Sequence, residues 1–493
     1  MPEAALRRWD WRGATWNVVA AAGLGFVAAG LFDIPAFLAG FTPRAEATGA
    51  AFVVAGQIRW GAGVAAAFFV LRAVGLFKLN VIRNLLSPFG RGSPVGWALA
   101  IFVVALALRL AYAASAEPPP ISDGIHYDRL ARDLAAGRGY AGDGVPTAYR
   151  PVGYPAAIAY FYLFFGPRYF PVILFQSILG AATASFLMLL ARESVGDAPA
   201  RVAGAVIALC PSQVAYAARF FPAVMLAFLV VAAAFAFVKA RGLWGALGAG
   251  LLTAAATLVA PVSMVLPAAA FACDLCRGTG LKRALARGAV VAGVAAVAMA
   301  PWTYRNWRVF GALVPVSTNG SLSLWVGNNP NATGTLYYPL SPVNPLFMTE
   351  GELPRDRLGR ELAWYFIRNE RAQFLMLTVP KFVYTYGADV SAFQLEGIAR
   401  GTEPADSARG FAARVAQTYY ALMWVGFVLG LVKLRGRVFT PSLSRGAPLA
   451  ALLAWPVALT LVYLIFFGQD RFHFPMLPFI AVVAAAAFLQ RRR

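Results

Sequence analysis

The chain has 493 residues, of which 60% are hydrophobic and 13% charged, too few polar side chains to cover a water-soluble globule of that size. The formal charge of +21, from 43 basic and 22 acidic residues, invites a nucleic-acid partner, but the basic residues lie in short loops between apolar runs. That distribution excludes a nucleic-acid patch and points to lipid as the solvent.

Apolar runs of about 20 residues, the length a helix needs to cross a hydrocarbon core of about 30 Å, recur along the chain. They fall at 15–41, 51–77, 95–115, 171–192, 199–217, 221–239, 242–260, 261–277, 284–302, 415–433, 447–467 and 474–490, which makes about a dozen spans. The first run is too long for a cleavable signal peptide and lacks a small-residue cleavage site, so it reads as a retained helix. Residues 1–94 form a two-helix hairpin with a basic connector, 95–302 a transmembrane module, 303–414 an outer loop region and 415–493 the last membrane helices. With an even number of spans both termini share one side. That side carries Arg7, Arg8 and Arg12, Lys78, Arg83 and Arg91, Arg277, Lys282, Arg283 and Arg287, Lys433, Arg435 and Arg437, and Arg491 to Arg493. Short loops rich in Lys and Arg stay in the cytoplasm, so the long loops 116–170 and 303–414 face outward. Cys210, Cys273 and Cys276 all fall in or beside apolar runs and imply no disulfide framework.

Within the first outer loop, Ile125, Leu130 and Leu134 recur at helical spacing, which predicts a short helix over 123–134 lying on the membrane surface. Ser122 or Asp123 is its expected cap. Residues 152–166 are too short to span and are expected to dip into the interface. The second loop is expected to hold a strand-like piece at Leu313–Ser317, a turn-rich piece at Gly327–Gly334 and a helix from Pro354 to Phe366. It is too small for an ordinary catalytic domain and more naturally lines or lids a cavity on the membrane helices.

Three motifs share the outer face. The first is Ser122-Asp123-Gly124-Ile125-His126-Tyr127-Asp128, followed by Thr147-Ala148-Tyr149-Arg150-Pro151; the second is Pro301-Trp302-Thr303-Tyr304-Arg305-Asn306-Trp307-Arg308 running into Gly327-Asn328-Asn329-Pro330; the third is Asp470-Arg471-Phe472-His473-Phe474-Pro475. In this order they resemble the GT-C glycosyltransferases, all-α polytopic membrane enzymes, and among them the dolichyl-phosphate-mannose-protein mannosyltransferase and lipid A aminoarabinose transferase superfamily. The resemblance covers roughly residues 95–490 and leaves the first hairpin outside.

The resemblance implies inverting transfer of a sugar from a polyprenyl-phosphate donor to an acceptor hydroxyl of a glycan, lipid or protein, in a bacterial-type inner membrane with the site facing the periplasm. It implies that Asp123 is the catalytic carboxylate, and a carboxylate at the membrane edge is suited to take the acceptor's proton. Arg150, between Tyr149 and Pro151, offers fork-like donors for a phosphate or sugar. Tyr127 shares a helix face with Asp123. Arg305 and Asn306 follow one helix end, and Arg471 and His473 precede another, so folding can bring both groups to one phosphate. Asn328 and Asn329 occupy a turn suited to sugar hydroxyls.

Two departures bear on metal use. Many relatives carry an acid directly after the catalytic aspartate, where this chain has Gly124, and a glutamate at the start of a later helix, aligned here with Ala223. The usual acidic partners of a divalent cation are thus missing; no cofactor is required and no metal ligand is assigned, though a cation stays open. A lipid flippase or transporter, or a non-catalytic scaffold for the carrier lipid, remains the alternative. Transporters place ionisable groups inside the membrane in repeated halves, whereas here polar residues concentrate in the loops and no internal duplication is visible.

Overall fold

The computed structural model describes residues 11–42, 49–74, 84, 86–115, 120–240, 242–336, 344–394, 408–438 and 447–489. The terminal arginines at 7, 8 and 491–493, and Lys78 and Arg83 of the first connector, lie outside the described residues. The fold is all-α. The sole sheet among the described residues is a two-stranded antiparallel ribbon pairing Ala141–Gly142 (β1) with Val145–Pro146 (β2).

The helices in chain order are α1 (Trp11–Ala28), α2 (Ile34–Ala39), α3 (Gly49–Ala73), α4 (Pro94–Ser115), α5 (Asp123–Ala135), α6 (Gly153–Phe165), α7 (Tyr169–Val195), α8 (Asp197–Leu209), α9 (Pro211–Tyr216), α10 (Ala223–Lys239) and α11 (Gly242–Val259). There follow α12 (Leu266–Cys276), α13 (Leu281–Phe310), α14 (Gly320–Val326), α15 (Pro345–Met348), α16 (Glu352–Asn369), α17 (Arg371–Tyr386), α18 (Ala408–Lys433), α19 (Arg435–Val438), α20 (Pro448–Ile465) and α21 (Leu477–Leu489). A 3₁₀ segment, Asp470–Met476, leads into α21. Among the described residues eight helices are long and apolar enough to cross a membrane, and four shorter apolar helices accompany them. The chain is therefore a multi-pass membrane protein.

Several expected spans prove to be broken. The run 15–41 ends as a helix at Ala28, turns, and resumes as α2, where Asp33 accepts a hydrogen bond from the Ala36 amide at 3.0 Å. The run 199–217 divides at Cys210, because Pro211 has no amide hydrogen to continue α8 and instead opens α9. The carbonyls freed at such an end need donors, and the buried Arg109 of α4 supplies one, reaching the Ala208 carbonyl at 3.2 Å. Residues 261–265 form a 3₁₀ turn before α12. The 13-residue α6 reaches only about 20 Å, short of a span as expected. Leu313–Ser317 is irregular rather than a strand.

One large apolar cluster joins α4, α7, α8, α10, α11, α12, α18, α20 and α21. The first hairpin packs elsewhere: α1 lies on α3, and α3 lies on α18, with Ile34, Leu38 and Val54 closing around Tyr384 of α17.

The outer region folds back over one end of the bundle. Gly327 sits so close to the turn after α20 that an added Cβ would lie 1.6 Å from the Phe466 carbonyl oxygen. Gly468 donates its amide to the Gly334 carbonyl at 2.8 Å. These approaches pin the segment that leads into Asp470–Met476. Gly327→Ala is therefore expected to cost about 1–3 kcal/mol, as overpacking against backbone does, and to be read as a lowered thermal midpoint in detergent. A variant melting like the parent would show that this packing does not hold the turn.

Candidate functional site

Ser122 precedes α5 with a φ of 50°, a left-handed backbone that a serine adopts at a cost of about 1 kcal/mol. Its side chain makes no capping bond, and Asp123 does not cap the helix either. Instead the Asp123 carboxylate is shared between two arginines. Oδ1 accepts from Arg150 Nη2 at 2.6 Å, and Oδ2 lies 3.1 Å from Arg471 Nη1. All three side chains are mostly buried, with 19–23% of each exposed. Burial pushes the Asp123 carboxyl up, but Arg471 and Arg150 outweigh it and hold the group below the usual carboxylate range.

Each arginine is aimed by its own support. Arg150 lies 5.5 Å from the ring of Tyr127 and 5.4 Å from that of Tyr149, and the buried Tyr127 is braced edge-on by Tyr154. Tyr140 donates its hydroxyl to the Arg150 carbonyl at 2.8 Å. Arg471 lies 5.4 Å from the Phe221 ring and donates to Gln469 Oε1 at 2.9 Å.

The other expected contacts are placed differently. Arg305 donates to the carbonyls of Tyr140 and Thr147, each at 2.8 Å, and so braces the loop that carries Arg150; no contact joins it to Asp123. The buried Asn306 is used on the Val314 carbonyl. Asn328 bonds the carbonyls of Leu324 and Ile465 and accepts from Lys381 Nζ at 2.9 Å. Asn329 bonds Trp325 and Val326. Both asparagines are buried, so their amides close helix ends rather than meet a sugar.

His473 is fully buried. Its Nδ1 lies 2.6 Å from the Thr385 carbonyl and so must donate, while Nε2 lies 3.2 Å from Asp389 Oδ1. One proton therefore sits between Nε2 and that carboxylate, whose other oxygen accepts from Ser212 at 2.6 Å. Asp470 accepts from the amide and hydroxyl of Ser391. Together these bonds fasten the 3₁₀ segment to residues 385–391 on either side of Arg471. His473 is thus a support for the arginine, not a phosphate ligand.

Three supporting residues were not singled out from the sequence. Glu352, first in α16, accepts from Thr147, the Ala148 amide and Thr318, tying the outer region to the Arg150 loop. Asp389 carries the His473 pair. Lys381, buried without a carboxylate partner and pushed down to about 7 by that burial, cross-links Asn328 to the Ile465 carbonyl. For Asp389 and Lys381 a signal was available, each being an isolated ionisable residue in apolar surroundings (Pro380-Lys381-Phe382, Ala388-Asp389-Val390), whereas Glu352 lies in a charged stretch and carries none.

Gly124 packs closely on Phe220: an added Cβ would meet the Phe220 carbonyl oxygen at 3.1 Å and the Phe220 Cβ at 3.2 Å, so a larger residue there requires Phe220 to give by a few tenths of an ångström. Ala223 begins α10 nearby and is buried. With both Asp123 oxygens facing guanidinium groups, this donor set does not fit a divalent cation, which needs several oxygens free to converge. No cluster of three His, Cys, Asp or Glu residues capable of holding a metal occurs among the described residues.

No family model matches the chain, and no curated protein matches it. Among solved structures, the archaeal oligosaccharyltransferase AglB from Archaeoglobus fulgidus, in complex with an inhibitory peptide and a dolichol-phosphate, is similar at 15% identity with a TM-score of 0.45, covering 79% of this chain and 50% of that one. The apo form of the Archaeoglobus fulgidus oligosaccharyltransferase is similar at 16% identity and a TM-score of 0.47, with the same coverage. ArnT from Cupriavidus metallidurans bound to undecaprenyl phosphate is similar at 15% identity and a TM-score of 0.39, covering 80% of this chain and 76% of that one. The chain spans about half the length of the oligosaccharyltransferase structures.

Because the folded pKa of Asp123 lies below its unfolded value of about 3.9, its ion pairs contribute full stability above that value and lose it as pH falls through the lowered folded pKa. Asp123→Asn, which leaves two guanidinium groups facing a neutral amide, is expected to lower stability by on the order of 2 kcal/mol near neutral pH. The gap in melting temperature between parent and variant should narrow only in strong acid. A gap that has already closed between pH 6 and 5, about one unit or more above the ordinary carboxylate value, would contradict the two-arginine clamp.

Proposed function

We propose that the protein is a membrane glycosyltransferase that moves a sugar from a polyprenyl-phosphate donor to an acceptor hydroxyl on a glycan, lipid or protein, at the outer face of a bacterial-type inner membrane, with both termini in the cytoplasm. The observation that carries the reading is the Asp123 carboxylate held between Arg150 and Arg471. The first outer loop, which carries Asp123 and Arg150, and the distant turn of Arg471 converge there on one anion-compatible site. Arg150 lies in the loop before α6 and Arg471 in the 3₁₀ segment before α21, and each presents a planar fork matched to phosphate oxygens.

The same three groups divide the chemistry. A donor phosphate entering between the arginines competes with Asp123 for their donors, and the carboxylate that it displaces becomes free to accept a proton. The acceptor oxygen then attacks the anomeric carbon from the face opposite the phosphate as its proton passes to Asp123. The bond between the anomeric carbon and the phosphate oxygen breaks, and its electron pair leaves on the carrier phosphate, whose growing charge the two guanidinium groups stabilise. The anomeric configuration is inverted. Arg305, Glu352 and Tyr140 act on the loop of Arg150, and Asp389, His473 and Asp470 on the segment of Arg471. Transfer in this scheme uses no divalent cation.

Purified protein given a labelled polyprenyl-phosphate sugar and an acceptor is expected to release carrier phosphate. Asp123→Asn should lower the rate by about 10²–10⁴-fold, the range for loss of a general base. Arg150→Gln and Arg471→Gln should each lower it about 10–10³-fold through lost charge stabilisation. Full transfer by Asp123→Asn would overturn the assignment of the base, and counterflow of carrier lipid without a chemical product would favour a flippase. A chelator such as EDTA is expected to leave the rate unchanged; a loss restored by added cation would refute the metal-free scheme.

A further inference from the structure

A second feature on the Asp123 side of the bundle lies outside that chemistry. Between the end of α6 and the first turns of α7 runs a groove of about 470 Å³ whose walls include Phe161, Phe165, Phe170, Leu174, Phe175 and Ile178. Its rim is open, with Phe165 and Phe170 more than half exposed. At the mouth stands Arg168, the residue that precedes α7.

Arg168 differs from the arginines around it. Arg129 pairs with Asp143, Arg132 with Asp128, Arg138 with Asp133 and Arg150 with Asp123, whereas Arg168 has no carboxylate partner among the described residues. No side chain caps the start of α7, so its first amides add to the positive field at the mouth. The acid on the adjoining face of α5, Asp128, is already engaged by Arg132 and by the Tyr162 hydroxyl and so is not free for a lipid's ammonium group.

The dimensions decide what fits. From Arg168 to Ile178 is ten residues of helix, about 15 Å, half of a hydrocarbon core of about 30 Å and so the depth of one leaflet. With the boundary taken at Arg168, Phe170, Leu174 and Ile178 follow from it along the hydrocarbon. A phosphate at Arg168 with an acyl chain along Phe170, Leu174 and Ile178 fills this length, while a long isoprenoid tail overruns it. The groove is also set apart from Asp123. Tyr169 packs edge-on against Phe220, which in turn abuts Gly124, and Arg132, whose guanidinium donates to the Tyr169 hydroxyl at 3.3 Å, is nine residues from Asp123, about 13 Å along α5.

We propose that this groove is a docking site for an anionic phospholipid of the leaflet on the Asp123 side, with its phosphate on Arg168 and one acyl chain between α6 and α7. The occupant is a bilayer lipid, distinct from the sugar donor.

The test uses the full chain in micelles doped with equal phosphatidylglycerol and phosphatidylcholine, read by native mass spectrometry, together with a photoactivatable phosphatidylglycerol whose crosslinks are mapped by proteolysis. Crosslinks are expected within residues 161–178. Loss of a charge-assisted phosphate contact should lower crosslinking at these residues about tenfold in Arg168→Gln, and Leu174→Trp, which fills the groove, should lower it as well. Asp123→Asn, which disables the proposed transfer, should leave it unchanged, so failure of one proposal does not imply failure of the other. Equal retention of both lipids, unaltered crosslinking in Arg168→Gln, or displacement of phosphatidylglycerol from 161–178 by equimolar polyprenyl phosphate would each overturn the assignment.

Discussion

A single carboxylate with an arginine on each oxygen organises one end of this molecule. Asp123 comes from the helix after α4, Arg150 from the loop after β2, and Arg471 from the turn before the last span, so the ion pairs close contacts across most of the chain. Like charges do not approach one another unaided, and two guanidinium groups can share this pocket only because an anion lies between them. The site is therefore poised to exchange one anion for another, and a phosphate is the anion that two planar forks hold best.

A group of further polar side chains serves that arrangement. In a protein surrounded by lipid an unmet donor or acceptor is costly, and here the asparagines, Lys381, Glu352 and the His473–Asp389 pair each satisfy backbone or side-chain partners in the segments beside the arginines. The polar residues that the sequence groups together thus separate into the Arg150–Asp123–Arg471 cluster and a larger set of fasteners.

That separation marks what was legible in the sequence. Hydropathy and charge asymmetry disclosed an all-helical membrane protein, and the apolar spacing within a polar loop located α5 nearly to the residue, although Leu130 is buried while Ile125 is exposed. The approach of Asp123 and Arg150 followed from motifs close in the chain. Arg471 was expected beside them only because its turn falls on the same side of the bundle. The roles of Asn306, Asn328, Asn329 and His473 were not legible, because an amide or imidazole that closes a helix end has the same sequence signature as one that awaits a ligand. Breaks at Gly30–Asp33 and Cys210–Pro211 were likewise hidden by continuous hydropathy. Gly124 shows the opposite case: a position inconspicuous as a letter lies in close contact with Phe220.

Placing chemistry at a lipid boundary lets apolar helices receive a hydrocarbon tail while charged groups at their ends receive its phosphate. In the proposed reaction the Arg150–Asp123–Arg471 cluster, which is mostly buried, would meet the second requirement. The most direct test is a structure of the protein bound to polyprenyl phosphate. The phosphate is expected within hydrogen-bonding distance of both Arg150 and Arg471, with Asp123 released from at least one of them and open to the outer side. A phosphate bound elsewhere while both Asp123 ion pairs stay intact would contradict this view of the site.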